Sequence, residues 1–346
     1  MNGGPQPSAL VTGASGFIGQ HLVRQLLLRG QRVSCLVRST SNIAELRAAG
    51  CELLTGDLTA RDVASAIEVS RPRTVFHLGG CVRAREPSEF GRVNTAGVDA
   101  VARACSSVTP RADRPVLVVV SSLAAAGPLF QGVGALTEED SPSPVSAYGR
   151  SKLGGEHAAA KYARDLEITV VRPCAVIGPG DRGMLQIFRP ISRQGIHVVP
   201  GRGEGRLSLL GVVDLVECLM RAAEKGERLP AGGMDRTGRG IYFAAGESLS
   251  HVDLGVAIAR ALGREHPRTI HAPESFMRFA GFLGDAYSRM RRRPVWLSRD
   301  KVSEILAGSW VCSSDKALQQ LGWAPAAPLA DRLRETADWY RAARWL

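Results

Sequence analysis

The sequence predicts an α/β protein: a Rossmann doubly wound parallel sheet with a smaller, mostly helical C-terminal substrate lobe. Three observations carry that prediction. Thr12-Gly-Ala-Ser-Gly-Phe-Ile-Gly19 sets three glycines between an apolar run and an amphipathic stretch. Tyr148-Gly-Arg-Ser-Lys152 places a phenol and an ammonium four residues apart, on one face of a helix. Around them, short β-rich runs alternate with helical stretches, the rhythm of a parallel sheet covered on both faces.

The first element is Ser8 to Val11, a run with the length and character of a buried parallel strand. Gly13 permits the tight turn after it, Gly16 lets backbone amides approach a pyrophosphate, and Gly19 allows close helix–strand packing. The helix from Phe17 to Arg29 follows, with apolar Phe17, Ile18, Leu22, Val23, Leu26 and Leu27. Its N-terminus faces the negative charge of a dinucleotide. The second strand, Arg32 to Val37, ends in Arg38-Ser-Thr-Ser41 with no carboxylate to accept a ribose 2′-hydroxyl. A guanidinium and hydroxyls there suit a 2′-phosphate, so NADP(H) is expected over NAD(H).

Further strands are expected at Cys51–Thr55, Thr74–His77, Val116–Ser121 and Ile168–Arg172. After Gly178-Pro-Gly-Asp181 the regularity loosens into glycine-rich loops and a helical final third. The expected domains are therefore 1–180 for the dinucleotide and 181–346 for the substrate lobe, with some later segments returning to the sheet. A cleft between them is the expected substrate site.

The catalytic group follows from position and chemistry. Ser121 and Ser122 emerge at the carboxyl end of the Val116–Val120 strand, where open α/β sheets bind ligands. Tyr148 opens a helix expected over Ala147–Arg164. A phenol titrates too high to work near neutrality, and Lys152 one turn away is expected to lower its pKa and to hold the nicotinamide ribose. Serine then positions the substrate oxygen while Tyr148 gives or takes a proton as hydride moves.

Composition bounds the alternatives. The 346 residues are 45% hydrophobic and 22% charged, enough for one large core and a lobe. No apolar run approaches the ~20 residues that span a bilayer, and Met1–Pro7 offers no signal-peptide core. Seven cysteines without C-x-x-C spacing point to reduced thiols in a cytoplasm, and no metal site is expected. The net charge of +11 comes from arginines dispersed along the chain, only five of the 44 basic residues being lysine. With 5% aromatics and no interleaved basic stripe, nucleic acid is not an expected partner.

These motifs resemble the extended short-chain dehydrogenase/reductase family, which includes nucleotide-sugar epimerases, dihydroflavonol reductases and 3β-hydroxysteroid dehydrogenases. Further matching pieces are Gly56-Asp57-Leu58, His77-Leu-Gly-Gly80, Val93-Asn94, Arg172-Pro173 with Gly178-Pro179, and Leu321-Gly-Trp-Ala-Pro325. The resemblance places the adenine near Asp57 and Leu58, and lines the cofactor with Leu78, Gly79, Gly80 and Asn94. It brings the carboxamide to backbone after Arg172, at Pro173 and Val176. The phosphates fall to Gly13, Ser15, Gly16, Phe17 and Ile18. The family's serine stands five residues before the glycine ending its strand motif, which selects Ser122, five before Gly127, over Ser121.

Departures from the family narrow the reaction. The acid pair that sugar dehydratases carry after the catalytic hydroxyl is replaced by Leu123 and Ala124. Ser208 stands where nucleotide-sugar enzymes tend to carry arginine, and Gly211 where they carry His or Tyr, counted from Asp214. The expected activity is thus NADP(H)-dependent interconversion of a ketone and a secondary alcohol on a small, hydrophobic substrate. A nucleotide-sugar 4-epimerase retaining NAD is the alternative. A cofactor-sensing regulator on the same fold is the third reading, disfavoured because Tyr148 and Lys152 are both kept.

Two expectations concern surfaces. A homodimer is expected through helices Phe90–Cys105 and Ala147–Arg164, with Val98, Val101, Ala102 and Ala158–Ala160 for close approach. The Ser275–Arg293 stretch reads as a helix with Phe276, Phe279, Phe282, Leu283, Ala286 and Met290, closing in Arg289 and Arg291–Arg293. Cations suit a helix C-terminus, and the apolar positions suit core packing or a greasy wall of the cleft. A membrane surface is the less favoured reading of that helix.

Overall fold

Valine- and leucine-rich runs form the strands close to their predicted bounds. The computed structural model describes residues 8–129 and 134–346, so the Met1–Pro7 segment lies outside the described residues. In chain order the strands are β1 Ser8–Thr12, β2 Arg32–Val37, β3 Glu52–Thr55, β4 Thr74–His77, β5 Val116–Val120 and β6 Ile168–Pro173. The later ones are β7 Ala175–Ile177, β8 Ile196–Pro200, β9 Arg206–Gly211, β10 Ile241–Ala244, β11 Ser248–Ser250 and β12 Arg268–Ala272.

Seven strands make the main sheet in the order β10-β6-β5-β4-β1-β2-β3, every pair parallel. Strand order reverses between β1 and β4, and the crevice at that switch point is where such sheets take ligands. Apolar clusters cover both faces. One joins β1, β2 and β5 to the Phe17–Leu28 and Val212–Lys225 helices. The other packs the Ala60–Ser70 and Ala96–Ser106 helices and the end of Ala147–Ala160 on the opposite face.

The lobe has its own core, drawn from the Leu185–Gln194, His251–Ala261 and Leu329–Ala342 helices. It also carries two small sheets, β11-β9-β7 and β12-β8. Trp323 of the closing Leu-Gly-Trp-Ala-Pro segment is 1% exposed and donates Nε1–H to the Asp214 carbonyl at 2.9 Å. Burying an indole of this size stabilises by on the order of 5 kcal/mol. The Asp214 carboxylate accepts two bonds from Arg332, at 2.8 and 2.9 Å, fastening the last long helix to the start of the Val212–Lys225 helix.

Three expectations are corrected. Phe90–Cys105 is not one regular helix: Pro87–Phe90 runs into a π-helical turn at Gly91–Thr95, then Ala96–Ser106. The helix of Tyr148 stops at Ala160 rather than Arg164, unwinding into turns that bury Leu166. Val98, Val101, Ala102 and Ala158–Ala160 are all buried in this chain's own core, so they offer no surface for a partner subunit.

Candidate active site

The glycine turn is built as its spacing requires. Gly13 has φ 72°, and a Cβ there would lie 2.6 Å from the Gly79 nitrogen. At Gly19 a Cβ would come 2.3 Å from the Gly13 carbonyl oxygen. Both positions are therefore closed to any side chain. Gly16 is exposed and is the N-cap of the Phe17–Leu28 helix, which has no side-chain cap and no acid in its first turn. Its first amides are left for an anion, which fits the pyrophosphate of a dinucleotide. Ser15 and Ile18 flank this turn half-buried. Phe17 turns toward the 178–180 loop: its ring would touch a Cβ on Gly178 at 3.5 Å, and it meets His21 edge-on.

Most of the remaining expected cofactor residues follow the carboxyl ends of the parallel strands. Arg38 is exposed at the end of β2, and makes no ion pair among the described residues. Asp57 is exposed, its Oδ1 accepting the Leu58 amide at 2.8 Å. Leu58 in turn lies against Gly79 and Gly97. Leu78 donates its amide to the Thr12 carbonyl at 3.1 Å, and Gly79 donates to Thr12 Oγ1 at 3.3 Å, which sews the end of β4 to β1. A Cβ on Gly80 would lie 3.2 Å from Asn94 Oδ1 and 3.9 Å from Lys152 Nζ. Pro173 closes β6 and Val176 sits half-buried on β7.

Asn94 is 1% exposed and braces the protein. Its Oδ1 accepts from the Cys81 amide at 2.7 Å, while Nδ2 donates to the Cys81 carbonyl and Ser151 Oγ, each at 2.9 Å. The π turn aims it there, between the loop after β4 and the helix of Tyr148. Such turns recur at functional sites.

Adjacent serines have different surroundings. Ser121 is 5% exposed and donates to Glu156 Oε1, which also takes the Arg172 Nε–H at 2.9 Å. Arg172 Nη2 donates to Glu156 Oε2 at 2.6 Å, and neither side chain of that pair reaches solvent. The Ser121 hydroxyl is thus committed to a buried ion pair. Ser122 caps the Leu123–Ala126 helix by accepting from the Ala124 amide at 3.1 Å, and its hydroxyl lies near enough to the Tyr148 phenol to lower the phenol pKa. Among these two hydroxyls, Ser122 is the one beside the phenol.

Tyr148 is half-buried at the start of its helix. Phe90 meets the ring edge-on, with centroids 5.8 Å apart. Burial pushes the phenol pKa well up, Ser122 pulls it down, and the Glu304 and Cys81 charges push it up again. The lowering expected from Lys152 is thus not what governs the phenol here. Lys152 Nζ donates to the Val120 carbonyl at 2.7 Å, and burial brings its pKa down to about 8 against the pull of Glu156.

Sequence reasoning missed what holds this helix. Asp300 accepts from the amides of Ala147 at 2.6 Å and Tyr148 at 3.2 Å, and Glu304 accepts from Ser146 Oγ at 2.6 Å. Both acids sit on the Arg299–Leu306 helix of the lobe, and Lys301 pairs with Glu304 at 2.8 Å. Only Glu156 left a trace in sequence, as a carboxylate set among glycines and alanines on a helix that must be buried. Burial raises the Cys81 thiol pKa and takes that of Cys174 up to about 12, which disfavours the reactive thiolate at both.

Ser208 is fully buried, sharing a 2.7 Å hydroxyl–hydroxyl bond with Ser248. At Gly211 a Cβ would lie 2.6 Å from Asp214 Oδ2 and 2.8 Å from Arg332 Cδ. No ring could be accommodated there without moving the Asp214–Arg332 pair.

Residues 9–234 match the family described as NAD dependent epimerase/dehydratase family. The chain belongs to that family. It is an NAD(P)-dependent short-chain dehydrogenase/reductase of the extended type, with a Rossmann sheet and a helical C-terminal part. The chain is 31% identical over 338 residues to a ceramide reductase of Caulobacter vibrioides, covering 97% of this chain and 95% of that protein. It is 30% identical to sterol demethylase protein B of Methylococcus capsulatus, covering 96% and 98%. Among solved structures, the UDP-glucose 4-epimerase of Thermus thermophilus complexed with NAD superposes with a TM-score of 0.74 at 25% identity, covering 97% and 99%.

Proposed function

We propose that the protein interconverts a ketone and a secondary alcohol on a hydrophobic small molecule, with NADP(H) as the hydride partner. The observation that carries the reading is that Ser122 lies beside the Tyr148 phenol while Lys152 reaches the Val120 carbonyl, at the carboxyl end of β5. The bound nicotinamide would supply or accept the hydride. Everything else falls to the chain. Ser122 orients the substrate oxygen, and Tyr148 donates the proton that converts the forming alkoxide to alcohol. A phenol held protonated by burial is the form reduction needs. Lys152 keeps a positive charge beside the developing anion and would hold the nicotinamide ribose.

Arg38 supports the NADP(H) preference, being a cation without a carboxylate partner where the second strand ends. The apolar substrate is supported by the buried Ser208, by Gly211 and by the relatives named for ceramide and sterol chemistry. The experiment is identification of the cofactor that co-purifies, followed by turnover of a ketone panel with NADPH and NADH. Oxidation of NADPH that depends on an apolar ketone is the expected result. Interconversion of UDP-sugars with no added reductant would replace this reading by the 4-epimerase one, which the NAD-bound Thermus relative keeps in view.

A further inference from the structure

The Glu274–Arg291 helix buries only Met277, Gly281 and Ser288. Gly281 lies on Arg299 and Val302, and Gly284 on Leu297, so this side is pressed onto the Arg299–Leu306 helix and its approach. The opposite side carries Phe276, Phe279, Phe282, Leu283, Tyr287 and Met290, each between 49% and 71% exposed. Thirteen large apolar side chains are exposed among the described residues, and six of them are on this helix. At about 100° per residue they fall within roughly 140° of arc, a continuous stripe rather than scattered exposure. Core packing, one of the readings these positions allowed, is thereby ruled out for them.

Arginines border the stripe. Arg278 and Arg289 flank one side and Arg291 the other, and exposed Arg292 and Arg293 continue past the C-terminus. The helix's own acids are engaged, Glu274 beside Arg278 at 3.8 Å and Asp285 with Arg299 at 2.7 Å. A second copy meeting this face would bring another set of arginines against these. Among the described residues no helix is long and apolar enough to cross a membrane.

We propose that this face docks the protein on an anionic lipid bilayer surface. The aromatic and aliphatic stripe enters the boundary between headgroups and acyl chains, and the bordering guanidiniums take headgroup phosphates. The helix lies in the interface plane without spanning it. Vesicle binding needs no turnover, so the proposal stands apart from the substrate reading.

The test is co-sedimentation of the full chain with phosphatidylcholine vesicles, with and without about one-third phosphatidylglycerol, at low and high salt. Two exposed-surface variants accompany it, Phe276→Ser/Phe279→Ser/Leu283→Ser and Arg289→Glu/Arg291→Glu/Arg292→Glu/Arg293→Glu. The expected result is at least about tenfold more binding to the anionic vesicles, weakened by salt and lost in both variants while their thermal midpoints hold. Absence of sedimentation at low salt overturns the proposal, as does binding that survives both variants. Light scattering that shows a dimer dissociated by the serine variant also overturns it, because a second copy then covers the stripe.

Discussion

The carboxyl edge of the main sheet and the outer face of the Glu274–Arg291 helix are built on opposite terms. At the edge, side chains are refused: Gly13 and Gly19 have no room for a methyl group, and backbone amides face the crevice. On the helix, large side chains are presented to solvent with none of the described residues covering them. The edge depends on the position of single atoms in a packed setting. The helix depends on the sum of its apolar area and charge, to which any one residue contributes little. Sensitivity to substitution should therefore differ sharply between them.

The largest expected effect uses one oxygen in each region. Tyr148→Phe should lower kcat by about 10²–10⁴-fold with cofactor affinity nearly unchanged. Tyr287→Phe, removing the same atom from the exposed stripe, should change kcat by less than about twofold. Steady-state kinetics and fluorescence titration check both, and similar losses would erase the contrast.

Acid should strike the edge first. His77 is buried and its pKa is lowered to about 3, by desolvation first and then by Lys152, against 6.5 for an exposed histidine. Its Nε2 finds no partner among the described residues, while Nδ1 lies 2.7 Å from Thr12 Oγ1. Protonation favours the unfolded chain, so this stability is present above about pH 6.5 and lost as pH falls toward 3. Chemical denaturation at pH 7 and pH 4 should show a drop on the order of 3 kcal/mol that His77→Gln flattens. An equal drop in the variant would assign the acid sensitivity elsewhere.

Neighbouring serines sharpen the picture within the edge. Ser122→Ala should cut kcat by about 10²-fold at unchanged stability. Ser121→Ala should leave Glu156 short of a donor and cost about 1–3 kcal/mol of stability with kcat held. Exchanged outcomes would move the substrate hydroxyl to Ser121. At the far end of the crevice, Arg38→Asp should weaken NADPH by about tenfold or more and improve NADH relative to it. Tighter NADH binding by the unmutated protein would remove the 2′-phosphate reading.

The edge was legible because its determinants are local. A glycine's steric role lies within a few residues of it, and the Tyr148–Lys152 spacing is a property of one helix. All six early strands and the Phe17 helix consequently lie within a few residues of their predicted bounds. What stayed hidden depends on distant partners. Asp300 and Glu304 act on residues about half the chain away, and nothing around them marks a cap for another helix. The small residues of the 96–106 and 147–160 helices carry the same pattern whether they face a sheet or a second subunit, and here they face the sheet. Periodicity likewise finds an apolar stripe on the 274–291 helix without telling which side of it is wet.

The clasp between the Arg299–Leu306 helix and the start of Tyr148's helix bears on how this enzyme could be re-engineered. Two carboxylates of the lobe set where Tyr148's helix begins. Lobe and catalyst are thus not interchangeable cassettes. A chimera taking its lobe from a relative would acquire that relative's appetite for substrate, yet run slowly unless the acids at 300 and 304 were transplanted in register.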